Sequence, residues 1–290
     1  MNIIWSTYLQ KIGSLYLSRS LRFSDIFKEQ YKIAFDITDK KNILEIGCGP
    51  GALSQSLYRW YPGVEILGID RDSQFIEFAS KQAPYVKFME ADATNLPFNS
   101  NTFDVTISNT VQEHIETSKF FGEQYRVLKQ NGICIVLSTR QSINISAPCI
   151  SKQIDFEINM YDKTKKYYIE TDKEYNVCAY PLNESELPLT MQNYGFKNVS
   201  TNYITINLTP DNPMYSKEMA YAIINSNRQI ELDSIDYLPH IAPNVVTQNE
   251  IEKLKHIKNL KYDRRLALYD AGQKQWDTYM SLIMVLRGTK

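Results

Sequence analysis

The chain has 290 residues, of which 43% are hydrophobic and 12% aromatic, and this is enough to bury a sizeable core, so disorder over most of the chain is not expected. A formal net charge of -1 gives no bulk attraction to nucleic acid or to anionic lipid, and a nucleic-acid partner is not favoured. The four cysteines, Cys48, Cys134, Cys149 and Cys178, include no Cys-x-x-Cys pair, so neither a metal site nor a disulfide framework is expected. Because no stretch approaches the length of a membrane span, we expect a soluble protein in the reducing cytoplasm.

The first 37 residues predict two helices with apolar faces, separated by a break near Ser20. The residues that recur at helical spacing are Ile4, Tyr8, Ile12, Leu15 and Tyr16 in the first helix and Phe23, Ile26, Phe27, Tyr31 and Phe35 in the second. These faces either pack onto the core or cover a ligand site, and the pattern is compatible with both roles.

Strands and helices alternate from residue 42 to residue 138. The pattern predicts strands at 43–46, 65–69, 86–89, 103–108 and 133–138, and helices at 52–60, 73–82 and 118–129. Asn131-Gly132 is expected to end the last of these helices. Such an alternation is typical of an α/β fold in which right-handed crossovers build a parallel sheet with helices on both faces.

The alternation ends after Arg140. Residues 141–182 carry mixed charges and many tyrosines without a clear period, and they predict an insertion whose structure the pattern does not define. Beyond them the sequence predicts helices at 184–194, 214–227 and 248–273 and strands at 199–208 and 278–286. The third of these helices is expected to place Ile251, Leu254, Ile257 and Leu260 on one side and a solvated basic face on the other. No repeat or linker divides the chain, so one domain of residues 1–290 is expected.

A glycine-spaced loop follows the first predicted strand. In Gly47-Cys48-Gly49-Pro50-Gly51 the alternating glycines let the backbone turn tightly and let a ligand approach it, as in a nucleotide-binding strand-turn-helix unit. Asp70 ends the second strand about 20 residues later, where a carboxylate can accept both hydroxyls of a ribose. The loop lacks the G-x-G-x-x-G spacing of dinucleotide sites, which favours a ligand without a pyrophosphate.

Five motifs in this order resemble the class I S-adenosylmethionine-dependent methyltransferases, and most closely the small-molecule branch that includes the ubiquinone and menaquinone biosynthesis enzymes. The motifs are Glu45-x-Gly47-Cys48-Gly49-Pro50-Gly51, Gly68-Ile69-Asp70, Ala91-Asp92-Ala93, Phe103-Asp104-Val105 and Arg126-Val127-Leu128-Lys129-Gln130-Asn131-Gly132. The resemblance is strong over roughly residues 40–140 and weaker over 184–208 and 277–290.

The resemblance implies a Rossmann-like, mostly parallel sheet of seven strands with an antiparallel last strand. The strands at 199–208 and 278–286 would form the closing pair, with 209–275 as an insertion between them. The core would comprise about 38–140, 183–208 and 276–290. The segments of about 1–37, 141–182 and 209–275 would form a largely helical lid.

The resemblance also implies S-adenosylmethionine as cofactor, with S-adenosylhomocysteine as product. The residues expected to bind it are Glu45, Gly47, Cys48, Gly49, Gly51, Asp70, Arg71, Asp92, Ala93, Asn109 and Thr110. Asp70 would accept from the ribose and Asp92 from the adenine amino group, although a surface aspartate and a turn or helix cap are their simpler interpretations. Glu45 would either organise the loop or reach the ligand's amino group through water. Arg71 would cover the adenine or be a surface arginine.

Methyl transfer from a sulfonium is a direct displacement, so alignment and exclusion of water matter more than acid-base groups. His114, after the fourth strand, is the candidate catalytic residue, as a base for an acidic acceptor; packing or hydrogen bonding to a neighbouring loop would explain it equally well. His240 and His256 are expected to be structural or exposed.

The acceptor is expected to be a small molecule, methylated on oxygen, nitrogen or carbon under an aromatic-rich lid. An apolar or aromatic compound or a cationic amine would suit such a cover, whereas plain packing is the alternative role for its rings. These rings are Tyr8, Tyr16, Phe23, Tyr31, Phe156, Tyr161, Tyr167, Tyr168, Tyr175, Tyr180, Tyr215, Tyr221 and Tyr237. Methylation of RNA or protein, and cofactor binding without catalysis, remain alternatives, but no Asn-Pro-Pro-Tyr-type motif supports DNA adenine methylation. The sequence does not predict an oligomeric state.

Overall fold

The computed structural model describes residues 5–290, apart from the side chain of Tyr8, so the prediction for Ile4 lies outside the described residues. Within this range one sheet of seven strands forms the centre, in the order β3-β2-β1-β4-β5-β7-β6. The strands are β1 Asn42–Ile46, β2 Glu65–Asp70, β3 Lys87–Glu90, β4 Phe103–Asn109, β5 Leu128–Ile145, β6 Lys197–Leu208 and β7 Thr278–Thr289. Strand β7 runs antiparallel to both of its neighbours, which confirms the predicted Rossmann-like sheet and its closing pair.

Helices cover both faces of this sheet. They are α1 Trp5–Tyr8, α2 Ile12–Arg22, α3 Lys28–Phe35, α4 Ala52–Trp60, α5 Ser73–Gln82, α6 Thr117–Val127, α7 Pro148–Ser151, α8 Asp155–Glu174, α9 Glu186–Asn193, α10 Lys217–Ile241 and α11 Gln248–Asp270. Consecutive residues of β1 serve different cores: Ile43 packs with Val105 on one face, and Leu44 packs with Ile69 on the other. Burial on both faces is the reason that the central strands are apolar without alternation.

Two predicted boundaries are wrong. Helix α2 passes through Ser20 and ends at Arg22, whereas the chain leaves the helical conformation earlier, between α1 and α2. Helix α6 ends at Val127 instead of Asn131, because Leu128 adopts an extended conformation and pairs with Phe103. Asn131 lies inside β5 with a positive φ of 61°, so the Asn-Gly pair marks an irregularity in a strand, where sequence patterns alone indicate a helix end.

The segment with no clear period, residues 141–182, has defined structure. Its first residues extend β5 and pair with β7 as far as Ile145. It then forms α7 and the 20-residue helix α8, in which Glu157, Met160 and Thr164 are the buried residues. A helix that buries so few side chains leaves no apolar stripe, and this explains why periodicity did not reveal it.

The insertion between β6 and β7 consists of α10 and α11, and α10 extends well beyond the predicted residue 227. Leu260 is 55% exposed and does not continue the apolar side of α11. The basic side of α11 is not simply solvated: Lys258 and Lys261 both pair with Glu157 of α8. The prediction of a solvated basic face is therefore wrong for these residues.

A buried ion cluster joins the two ends of this insertion. Arg265 of α11 is fully buried and donates to Asp211, just after β6, and to Asp277, just before β7. Asp211 also accepts the backbone N–H groups of Gln275 and Trp276. The cluster holds the base of the insertion together where it leaves and re-enters the sheet.

Helix α10 also braces the N-terminal segment. Lys11, at the start of α2, pairs with Asp236 of α10, and the Tyr237 hydroxyl donates to the carbonyl of Ser6 at 3.3 Å.

None of the helices within residues 5–290 is both long enough and apolar enough to cross a membrane.

Candidate functional site

A cavity of about 640 Å³ lies at the carboxyl ends of the parallel strands. Its floor is formed by residues that end or follow four neighbouring strands: Gly47 after β1, Asp70 in β2, Asp92 after β3 and Asn109 in β4. Parallel strands bring their carboxyl ends to one edge, which is where ligands bind in open α/β sheets. The cavity walls are formed by α1 and α2 on one side and by residues 172–180 on the other.

The glycine loop has the left-handed backbone that its composition predicted. Gly47 has a φ of 66°, and a Cβ on this residue would overlap the side chain of Val111. Gly51 has a φ of 84°, and its Cβ would lie 2.9 Å from Ala79 Cβ and from Phe88 Cζ. Gly51 does not line the cavity, unlike the other residues predicted to bind the cofactor. Its place in the structure is a packing contact at the start of α4.

Asp70 is held by two backbone donors. Its Oδ2 accepts the N–H of Gly49 at 2.9 Å, and its Oδ1 accepts the N–H of Asp72 at 2.9 Å. Burial raises the pKa of Asp70 above its ordinary value. Each carboxylate oxygen has a second acceptor site, so Asp70 can still receive two hydroxyl donors from the cavity.

Asp92 forms a turn, as one interpretation of this residue predicted, and it also lines the cavity. Its Oδ1 accepts both the backbone N–H and the hydroxyl of Thr94, each at 2.8 Å. These contacts leave Oδ2 as the acceptor that is not used within the described residues. Ala93 and Arg71 line the same end of the cavity.

Glu45 lies beneath the loop and is 2% exposed. It accepts a hydrogen bond from the hydroxyl of Ser54 on α4. Desolvation raises the pKa of Glu45 to about 8, and the nearby charge of Asp70 acts in the same direction. A carboxyl group in this position links β1 to the helix that follows the loop.

His114 forms part of the cavity wall in contact with two neighbours. Its ring packs edge-on against Trp5, with the ring centroids 4.8 Å apart, and Arg71 lies 6.0 Å from the Trp5 ring. Its Nδ1 accepts the backbone N–H of Cys178 at 3.0 Å, so the neutral ring carries its proton on Nε2. Burial and Arg71 lower the pKa of His114 to about 4. This environment favours a hydrogen-bond donor over a general base.

Two charged residues of the wall have no sequence motif. Arg19 of α2 donates from Nη2 to the Thr110 hydroxyl at 3.0 Å and lines the cavity. Glu113 lines it as well, and its Oε2 is buried without a hydrogen-bond partner among the described residues. Burial raises the pKa of Glu113 above its ordinary value. The only sequence signal for Glu113 as a cavity residue was its position directly before His114. Arg19 had no such signal, because it is one of several polar residues on an amphipathic helix.

Most of the predicted lid aromatics lie elsewhere. Of the rings whose side chains are described, Phe23, Tyr175 and Tyr180 line the cavity, and Trp5 joins them without having been predicted. The remaining rings pack in the core, bind other elements or face solvent, as the packing alternative proposed. The cavity wall includes no residue of the insertion 209–275, so this segment supports the lid from behind α2 instead of lining it. His240 and His256 are exposed.

The sheet order, the glycine loop and the carboxylates at neighbouring strand ends define a Rossmann-like protein with a nucleotide-type site. Residues 44–136 match the family model described as a methyltransferase domain. This part of the chain is therefore similar to the class I S-adenosylmethionine-dependent methyltransferases, and its curated relatives include enzymes of the ubiquinone and menaquinone biosynthesis branch.

Two relatives illustrate this similarity. A demethylmenaquinone methyltransferase of Thermus thermophilus is 37% identical over 102 residues, which cover 33% of this chain and 46% of the relative. The ubiquinone/menaquinone biosynthesis C-methyltransferase UbiE of Campylobacter jejuni is 29% identical over 143 residues, which cover 47% of this chain and 52% of the relative. The chain spans about half the length of these curated relatives.

Two solved structures share the fold over most of the chain. Phosphoethanolamine N-methyltransferase 2 of Haemonchus contortus superposes with a TM-score of 0.55 and 17% identity, covering 100% of this chain and 59% of that protein. The 4+2 cyclase SpnF superposes with a TM-score of 0.51 and 14% identity, covering 92% and 81%. At these identities the similarity describes the fold.

Proposed function

We propose that the protein transfers a methyl group from S-adenosylmethionine to a small-molecule acceptor and releases S-adenosylhomocysteine. The observation that carries this proposal is the order of groups along the cavity floor: Asp92 after β3, Asp70 in β2, Gly47 after β1 and Asn109 in β4. This order matches a ligand laid across the strand ends with its adenine at Asp92, its ribose at Asp70 and its amino-acid end at β4.

The residues fit such a ligand. The free Oδ2 of Asp92 suits an adenine amino group, and the remaining acceptor sites of Asp70 suit two ribose hydroxyls. Because Gly47 has no Cβ, the loop can lie directly against the side chain of Val111. The cofactor supplies a methyl group on an activated leaving group, so the protein has to align the acceptor and exclude water.

The acceptor would lie between the cofactor and the wall formed by Trp5, His114, Tyr175 and Tyr180. A cavity of about 640 Å³ falls within the range of about 300–1,000 Å³ usual for small-molecule sites. The buried free oxygen of Glu113 supports an acceptor with an N–H or O–H group, either an amine or a phenol, because such a group gives this oxygen a donor. His114 would hold the acceptor through Nε2–H.

Acceptors of other kinds are less well supported. A basic rim would favour RNA, but the cavity lining contains more acidic than basic side chains, and Lys119 in this lining pairs with Glu116 at 3.3 Å. The fold alone does not decide the chemistry, since a protein described as a cyclase shares it.

The experiment is a labelling screen. The protein would be incubated with a metabolite extract, with total RNA and with total protein, in separate reactions, each with methyl-labelled S-adenosylmethionine. We expect label in a small molecule, and none with Asp70→Ala. The exposed substitution Asp162→Asn serves as the control that keeps activity. Label confined to RNA or protein, or absent from all three reactions, would contradict the proposal.

A further inference from the structure

Arg19 is a cationic side chain in the cavity wall that forms no ion pair with any of the described residues. Its one hydrogen bond goes to a neutral hydroxyl, that of Thr110, and within residues 5–290 it has no carboxylate partner at ion-pair distance. A guanidinium has five N–H donors, so most of those of Arg19 are not used by the protein. Burial and the neighbouring charge of Arg22 lower the pKa of Arg19 to about 9, whereas the negative charges of Tyr279 and Glu113 act in the opposite direction without reaching ion-pair distance.

The position of Arg19 along the cavity indicates which ligand group it faces. Leu15, one turn earlier on α2, lies beside the glycine loop, 3.7 Å from the position of a Cβ on Gly49. Thr110, which accepts from Arg19, directly follows β4. Arg19 therefore lies at the β4 end of the cavity floor, on the far side of β1 and β2 from Asp92.

We propose that Arg19 binds the α-carboxylate of S-adenosylmethionine, so that helix α2 supplies the anchor for the amino-acid end of the cofactor. This inference rests on the proposed function, because it needs the cofactor to lie across the strand ends with its adenine at Asp92. A guanidinium and a carboxylate form short, charge-assisted hydrogen bonds, and this pair would give Arg19 an ion-pair partner, which none of the described residues provides.

An anionic group of the acceptor has the same chemistry, but the structure favours the cofactor. Arg19 contacts Thr110 and shares a helix face with Leu15. Leu15 adjoins the glycine loop at Gly49, and Val111, which follows Thr110, adjoins it at Gly47. The helix is also fixed in place: Lys11 pairs with Asp236, and the N–H of Ser6 donates to Asp72 at 2.6 Å. A braced helix suits a permanent part of the cofactor site.

The test compares two ligands that differ in the carboxylate. S-adenosylhomocysteine carries the amino-acid end, whereas 5′-methylthioadenosine keeps the adenosine and the sulfur but has no carboxylate. Calorimetry would give the affinity of each ligand for the wild-type protein and for Arg19→Gln. We expect the substitution to lower the affinity for S-adenosylhomocysteine at least about tenfold and to leave that for 5′-methylthioadenosine within about twofold, since a hydrogen bond to a charged group is lost.

Two further variants sharpen the result. Arg19→Lys keeps the charge without the planar fork and should recover part of the lost affinity. Arg22→Gln is the matched control on the same helix: Arg22 binds the Tyr279 hydroxyl and does not line the cavity, so this substitution should change both affinities equally.

Three outcomes would overturn the assignment. In the first, Arg19→Gln leaves both affinities unchanged. In the second, both affinities fall by the same factor. In the third, Arg19→Gln keeps both affinities but abolishes the binding of inorganic phosphate, as a probe for an anionic acceptor, to the protein loaded with S-adenosylhomocysteine; this result would assign Arg19 to the acceptor. Failure of the proposed function is distinguishable: a protein without a cofactor site would bind neither adenosine ligand in its wild-type form, and a cofactor-binding protein without catalysis would bind both but give no product in the labelling screen.

Discussion

Asp70 accepts the backbone N–H of Gly49 at 2.9 Å, so the carboxylate at the end of β2 also fixes the glycine loop after β1. The loop is thus positioned by a side chain that belongs to the neighbouring strand. If Asp70 binds the ribose, as we propose, cofactor affinity and loop geometry depend on one residue. A substitution at this position tests both.

Asp70→Asn should weaken the binding of S-adenosylhomocysteine at least about tenfold. Both oxygens of Asp70 accept backbone N–H groups, so in either orientation the amide would place its own N–H₂ against a donor. We also expect the unliganded protein to lose about 1–2 kcal/mol of unfolding free energy. Calorimetry and urea unfolding measure the two effects, with the exposed Asp162→Asn as the control. An unchanged affinity would remove Asp70 from the cofactor site.

Asp92→Asn should alter the preference for the base. Thr94 donates twice to Oδ1, so the new side chain must keep its oxygen there and present its N–H₂ to the cavity. A donor in this position is unfavourable for the amino group of adenine and favourable for the carbonyl of hypoxanthine. We therefore expect the affinity ratio of S-adenosylhomocysteine to S-inosylhomocysteine to fall about tenfold or more. Equal losses for both ligands would show that Asp92 does not contact the base.

His114 should act as a neutral hydrogen-bond donor. The pH profile of wild-type activity should therefore show no ionisation near pH 6.5 that can be assigned to His114, and His114→Gln should have the same profile in this range. The glutamine amide keeps a donor and an acceptor, and it should retain more activity than His114→Ala. Because the pKa of His114 falls from 6.5 to about 4 on folding, the unfolded chain binds more protons between these values. The wild type should therefore lose stability relative to His114→Gln as the pH falls from 6.5 to 4, by about 1–2 kcal/mol. A wild-type ionisation near pH 6.5 that the glutamine variant lacks would restore the general-base role.

Glu45 should have the opposite effect on stability. Its pKa rises from 4.5 to about 8 on folding, so the folded protein binds the extra proton between these values. Stability should fall as the pH rises from 4.5 to 8. Glu45→Gln keeps an acceptor for the Ser54 hydroxyl but removes the titration, so it should flatten this dependence. Urea unfolding at pH 5 and pH 8 measures the difference, with Glu90→Gln on an exposed side chain as the control. If the unfolding free energies of the wild type and Glu45→Gln depend on pH in the same way, the raised pKa of Glu45 would be contradicted.

Arg265→Met should destabilise the protein by about 3–5 kcal/mol, because it leaves Asp211 and Asp277 buried without their cation. The adjacent Arg264→Met replaces an exposed arginine and should have little effect. Adding Asp211→Asn and Asp277→Asn to Arg265→Met should recover part of the lost stability, since the unpaired charges are removed. Urea unfolding gives these values. A loss below about 1 kcal/mol for Arg265→Met would show that the cluster does not hold the insertion.

The central sheet and the glycine loop were accessible from the sequence because their signals are local. Apolar runs of strand length, the alternating glycines and the aspartate ending β2 each lie within a few residues of the structure that they form. The bounds of α4 and α5 agree with the prediction, and the glycine at position 47 has the positive φ that its residue type suggested. The ends of α6 and β5 were missed because pairing with Phe103 and with β7 decides them.

The lid shows the limit of sequence patterns. Helix α8 buries too few side chains to produce a period, and most of the lid aromatics pack away from the cavity. Aromatic content indicates that a segment is buried against something, but it does not indicate what.

The sequence by itself determined the class of fold, the glycine loop and the carboxylates at the strand ends, because neighbouring residues encode strands and turns. Only the tertiary structure decided that Arg19 meets Thr110, 91 residues away, and that Glu113 and Trp5 share the same cavity. The physical reason is that such contacts depend on how α2 packs across the sheet edge. That packing is set in part by Lys11 and Asp236, which are 225 residues apart in the sequence.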